Sequence, residues 1–183
     1  MCLIVVSVDT IKSNNWVTLL VEHTSIAGGD IGIAKAQIEK IRIIDPKVRL
    51  EAEINYELSQ NNDVLVIKLL QQTKQTYNDI PDFFFQSGMF QQQNKNYQVA
   101  SEELSEAISR NAETDVSVLA KCNALYQLGR TSVLAESNID AGISALKKFI
   151  DKAPDLDDLA PKPWAEFRLA NLMSLNSQKL EAK

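Results

Sequence analysis

Apolar residues along this chain return at steps of three and four. Ile31, Ala34, Ile38 and Ile41 form one such series, Val99, Ala100, Leu104 and Ala107 a second, and Ile143, Leu146, Phe149 and Ile150 a third. A period near 3.6 puts each series on one face of a helix. The only β-like run is LIVVSV at residues 3–8, and a single short run builds no sheet. The five prolines, at 46, 81, 154, 161 and 163, fall between the helical series and are expected to act as helix stops. The pattern predicts an all-α chain.

Polar turns punctuate these helices at equal intervals. GGD ends at Asp30, NND at Asp63 and NKN at Asn96. An even period of this size, within the range of roughly 20–50 residues, is the mark of a repeat architecture. An aliphatic or aromatic residue follows each turn (Ile31, Val64, Tyr97), and three positions further on lies Ala34, Ile67 or Ala100. A fourth turn, ESN, ends at Asn138, later than that interval allows, so chain is inserted before it. Each unit then reads as helix A, polar turn, helix B and a second turn. A helix pair this short buries a core only by stacking on its neighbours, which makes a solenoid.

The period and residue types resemble the tetratricopeptide repeat. Phe84, Gly88, Tyr97, Ala100, Leu104 and Ala107 follow that family's alternation of large and small residues. So do Leu128, Gly129, Gly142, Leu146, Phe149 and Pro154, with one extra residue in the turn. Ala34, Ile38, Ile41 and Pro46 fit the second half of a first repeat, and WAEFRLANLM from Trp164 resembles a fifth helix A. The second unit fits least, with Ile67 where a small residue is usual. The resemblance implies an all-α, right-handed α-α superhelix: a solenoid of antiparallel helix pairs over residues 13–183, with about four repeats and a partial fifth. The apolar segment 1–12 is expected to pack on the first repeat.

Two physical expectations stand beside that resemblance. Glycine inside a helix costs about 1 kcal/mol relative to alanine. Gly88, Gly129 and Gly142 therefore need a packing reason, and a close helix crossing supplies one. Leu125, the counterpart of Phe84, comes later in the chain than one repeat would put it. The excess is about two helical turns, which nearly preserves facing. A long helix A starting near Asp115 follows, and the acidic stretch 151–163 becomes a longer connection to the last helix.

Composition narrows the function. The chain has 183 residues and a net charge of −5, without the basic stripe that a nucleic acid or anionic membrane would need. The N-terminal apolar run is far short of the roughly 20 residues that span a bilayer. No basic residue precedes it and no small-residue cleavage site follows, so a cytoplasmic location is expected. Cys2 and Cys122 show no framework spacing, and the single histidine, His23, lacks a local nucleophile or orienting acid. The glycines at 28, 29 and 32 lack the spacing of a phosphate loop. Asp157 and Asp158 lack the spaced ligands of a calcium loop. No catalytic site, cofactor or metal is expected.

What remains is binding. The resemblance implies that helix A faces line a concave groove. In the third unit these are Asp82, Phe85, Gln86, Met89, Gln92 and Gln93. The fourth supplies Asn123, Tyr126, Gln127, Arg130 and Val133, and the last helix Phe167 and Arg168. Aromatic, methionine and glutamine side chains suit an extended peptide or a partner helix. The Lys and Asn with which one family subtype clamps C-terminal carboxylates are missing from the matching positions. The expectation is a non-enzymatic scaffold for a protein or peptide partner. The alternatives are a recognition module of a larger enzyme and a secretion or assembly chaperone-adaptor. A fifth helix B would only be starting at Lys183, so an uncapped end is expected to be covered by more chain, a partner or a second copy.

Overall fold

The computed structural model describes residues 46–112, 115–154, 156 and 159–181. Segment 1–12, the first repeat with Gly28, Gly29, Asp30 and Ala34, and also His23, Cys2, Asp157 and Asp158, lie outside the described residues. The described residues are all-helical, with seven helices and no strand among them: α1 (Pro46–Ser59), α2 (Asp63–Thr76), α3 (Pro81–Gln93), α4 (Tyr97–Ser109), α5 (Asp115–Ala135), α6 (Ile139–Lys152) and α7 (Lys162–Glu181). The chain divides into two compact units, whose described parts are 46–78 and 79–181.

Pro46 opens α1 and Pro81 opens α3, while Pro163 sits in the first turn of α7. Pro81 and Pro163 begin helices rather than stop them, and Pro46 begins one too. Proline's fixed φ suits the first helical position, where a missing N–H costs nothing.

In the 46–78 unit, α1 packs on α2. Leu50, Ala52 and Ile54 of α1 and Val66, Leu69, Leu70 and Thr73 of α2 are buried. The turn between them holds Asn61 in the left-handed region at φ 55°. Asn61 N–H bonds to Leu58 O and Asn62 N–H to Glu57 O, closing the helix in a Schellman motif.

The turn from α3 to α4 repeats this geometry bond for bond. Lys95 takes φ 61°, its N–H bonds to Gln92 O, and Asn96 N–H bonds to Gln91 O. Side chains repeat it too: Asn62 Nδ2 donates to Glu57 Oε2 at 2.8 Å and Asn96 Nδ2 to Gln91 Oε1 at 2.9 Å. The register therefore matches Asn96 with Asn62 rather than with Asp63. Val66, fully buried, takes the place of Ala100, while Ile67 points outward and is 39% exposed. The polar run NND had disguised an offset of a single position.

In the fourth turn Glu136 takes φ 49° and its N–H bonds to Val133 O, as Lys95 does to Gln92. The extra residue is Ser137, placed between Glu136 and the N-cap Asn138.

Within the 79–181 unit the helices form two layers. Each helix packs on the next in sequence, and α3, α5 and α7 also pack side by side. α4 and α6 form the other layer and do not meet. α5 begins at Asp115 and runs for 21 residues, as the insertion before the fourth turn predicts. The two layers enclose an apolar core. Phe84, Leu104, Ala107, Ala124, Leu128 and Ala145 make one cluster. Tyr126, Ile139, Leu146, Phe149, Leu159, Ala165 and Leu172 make the next.

Glycines sit where the layers cross. A Cβ at Gly88 would lie 2.7 Å from Leu104 Cγ, and one at Gly129 would fall on Leu146 Cγ. A Cβ at Gly142 would meet Ser132 Cβ at 2.6 Å and Leu172 Cδ1 at 2.8 Å. No helix among the described residues is long and apolar enough to cross a membrane.

Candidate functional site

The layer formed by α3, α5 and α7 carries most of the polar side chains that reach between helices. Ser117 Oγ donates to buried Asp82 Oδ2 at 2.9 Å, joining α3 to the first turn of α5. Near the other end of α3, buried Gln92 donates through Nε2 to Thr131 Oγ1 at 2.7 Å. Thr131 Oγ1 in turn donates to Gln127 O at 2.8 Å. Arg130 Nη1 donates to Gln92 Oε1 at 2.6 Å and, more loosely, to Gln127 Oε1 at 3.4 Å.

A second bridge joins α5 to α7. Arg168 Nε donates to the Tyr126 hydroxyl at 3.0 Å, with its guanidinium carbon 5.3 Å from the centre of that ring. The Tyr126 ring is itself held against Phe149 of α6, centroids 5.6 Å apart. Tyr126 and Arg130 are four positions apart on α5 and so share one helix face.

Of the residues expected to line a groove, the structure brings Gln92, Gln127 and Arg130 together, and separately Tyr126 and Arg168. Asp82, Gln86, Met89, Gln92 and Tyr126 are buried, which removes them from the accessible surface. The family resemblance placed them on an open wall; side-chain burial depends on partners distant in sequence. Gln86 Oε1 is a buried acceptor without a hydrogen-bond partner. Phe85, Asn123, Gln127, Arg130 and Val133 are partly exposed, and Gln93 is exposed at the end of α3.

Phe167 is 57% exposed, and Trp164, three positions earlier, is 56% exposed. Their rings meet edge to face, centroids 6.5 Å apart and 88° between planes. Ala165 and Leu172 form the buried stripe of α7, and Met173, 50% exposed, lies on the far side of that stripe from Trp164. Sequence reasoning reached Phe167 but not Trp164, although the helix A resemblance began at that residue.

Cys122 lies half-buried on α5, and burial pushes its thiol pKa up, partly offset by the Lys121 charge. Among the described residues no three His, Cys, Asp or Glu side chains converge as a metal site. The chain matches no family model, no curated protein and no solved structure.

Proposed function

We propose that this chain is a non-enzymatic, tetratricopeptide-like scaffold, a right-handed superhelical solenoid that binds a segment of another protein along its α3–α5–α7 layer. The observation that carries the reading is the exposed Trp164–Phe167 pair on α7. Two large aromatic rings more than half exposed and fixed edge to face are a costly surface for a lone chain and a favourable one for a partner. The bond-for-bond recurrence of the turn supports the repeat assignment. The packing asymmetry supports the choice of layer: α3, α5 and α7 touch while α4 and α6 stand apart, as expected if the first layer is the inner one of a solenoid.

The test is affinity capture with mass spectrometry, comparing the wild type with a Trp164→Ala/Phe167→Ala double variant. Both residues are exposed, so the melting temperature is expected to hold while one or a few captured proteins disappear. Undiminished capture by the variant would sink the assignment of this face.

A further inference from the structure

The α5–α7 surface is unusual in its charge. Arg130 is fixed by two neutral amides, Gln92 and Gln127, and Arg168 by a neutral phenol, Tyr126. Neither arginine has a carboxylate partner among the described residues. Their neighbours three and four positions along each helix are consistent with this. Around Arg130 these are Tyr126, Gln127, Val133 and Leu134, and around Arg168 they are Trp164, Ala165, Asn171 and Leu172, all uncharged. Both arginines are half-buried, in a chain whose net charge is −5. A half-buried cation with no counter-ion has lost hydration without gaining a charge partner.

The two arginines are linked through one residue of α5. Tyr126 stands one helical turn before Arg130 and holds Arg168, which lies one turn after Trp164 on α7. Buried Tyr126 thus connects Arg130 on α5 to Arg168 on α7, and Arg168 shares α7 with the exposed Trp164–Phe167 pair. We propose that this α5–α7 surface recognises an acidic protein segment in which carboxylates flank an aromatic or large aliphatic residue. The carboxylates pair with Arg130 and Arg168 on either side of Tyr126, and the apolar residue packs on Trp164 and Phe167. The inference rests on the scaffold reading above and names the partner's chemistry. Guanidinium groups and aromatic rings also suit single-stranded nucleic acid, but a polyanion gains affinity mainly from many phosphate contacts, and this site offers only two arginines.

The full chain carrying Trp16→Phe keeps Trp164 as its single tryptophan, so its fluorescence reports on this surface. Three pools of short peptides of equal length, with both ends capped, serve as probes. One is built from Asp, Glu, Leu and Phe, one from Asn, Gln, Leu and Phe, and one from Lys, Arg, Leu and Phe. Polyuridylate is the fourth probe.

The expected result is that the acidic pool binds at least about tenfold more tightly than the neutral pool, as charge-assisted pairing would give. Arg130→Gln and Arg168→Gln each remove about tenfold of that affinity and leave the neutral pool unaffected, while Arg130→Lys keeps part of it. Tyr126→Phe, which keeps both charges and frees Arg168, weakens the acidic pool less than Arg168→Gln. Equal binding of acidic and neutral pools overturns the inference and leaves the scaffold reading standing. Preference for the basic pool or for polyuridylate overturns the acidic partner. A Trp164 signal that answers only to protein concentration, and to no probe, marks the face as a contact between copies and overturns both readings.

Discussion

Gly129 and Leu146 occupy the same crossing: the place a Cβ on Gly129 would fill already holds the branch of the fully buried Leu146 side chain. Gly88 and Leu104 stand in the same relation one repeat earlier. Alanine would normally gain about 1 kcal/mol over glycine inside a helix. Here the overlap reverses the sign, because Leu146 has no room to retreat. Gly129→Ala is expected to lower stability by about 1–3 kcal/mol, read from the denaturant midpoint. In a Leu146→Ala background the same change should become neutral or stabilising. Equal cost in both backgrounds would mean that the two residues do not meet.

The left-handed turn residues give a second prediction, of opposite sign. Lys95 holds φ 61° with a side chain that disfavours it. Lys95→Gly should raise stability by about 0.5–1 kcal/mol, and Lys95→Val should lower it by at least as much. Asn61→Gly should gain less, because asparagine tolerates this conformation better. A thermal melt of the three variants decides the order.

Gln92 satisfies Thr131 and receives a bond from Arg130, so removing its amide leaves polar groups stranded. Gln92→Leu keeps the bulk but is expected to cost about 1–3 kcal/mol. Gln93→Leu, at the next position and exposed, should cost little. Chemical denaturation of the pair separates a loss of hydrogen bonding from a loss of helix.

Burial raises the Cys122 thiol pKa in the folded chain. The folded form therefore keeps its proton at a pH where the unfolded form has released it, and stability falls as pH climbs from the ordinary thiol range through the raised folded value. In a Cys2→Ser variant, alkylation by iodoacetamide at mildly alkaline pH should be slower than for a free thiol, and urea should restore the ordinary rate. A native rate equal to the unfolded one would remove the protection.

The sequence carried the helical character, the glycine crossings and the start of α5 at Asp115, because these depend on local periodicity. It misled at Asp63, where residue type imitated a register set by the backbone at Asn61. It also misread Pro81 and Pro163 as stops, since proline suits the first turn of a helix as well as the end of one. The bonds from Asp82 to Ser117, Gln92 to Thr131 and Tyr126 to Arg168 join side chains far apart in the chain. No local pattern carries such pairings, and the burial of Gln86 and Met89 was equally out of reach.

The length of α5 has a consequence for how this chain opens. A repeat array usually frays from its ends, hairpin by hairpin. α5 instead packs on α3, α4, α6 and α7, its first turn is tied to Asp82 through Ser117, and Lys121 Nζ donates to Arg110 O beyond the end of α4. Detaching α3 and α4 strips α5 of half its partners, and detaching α6 and α7 strips the other half. Amide protons in the middle of α5 should therefore exchange with solvent only when the whole 79–181 unit opens together, while those at the far end of α7 exchange early.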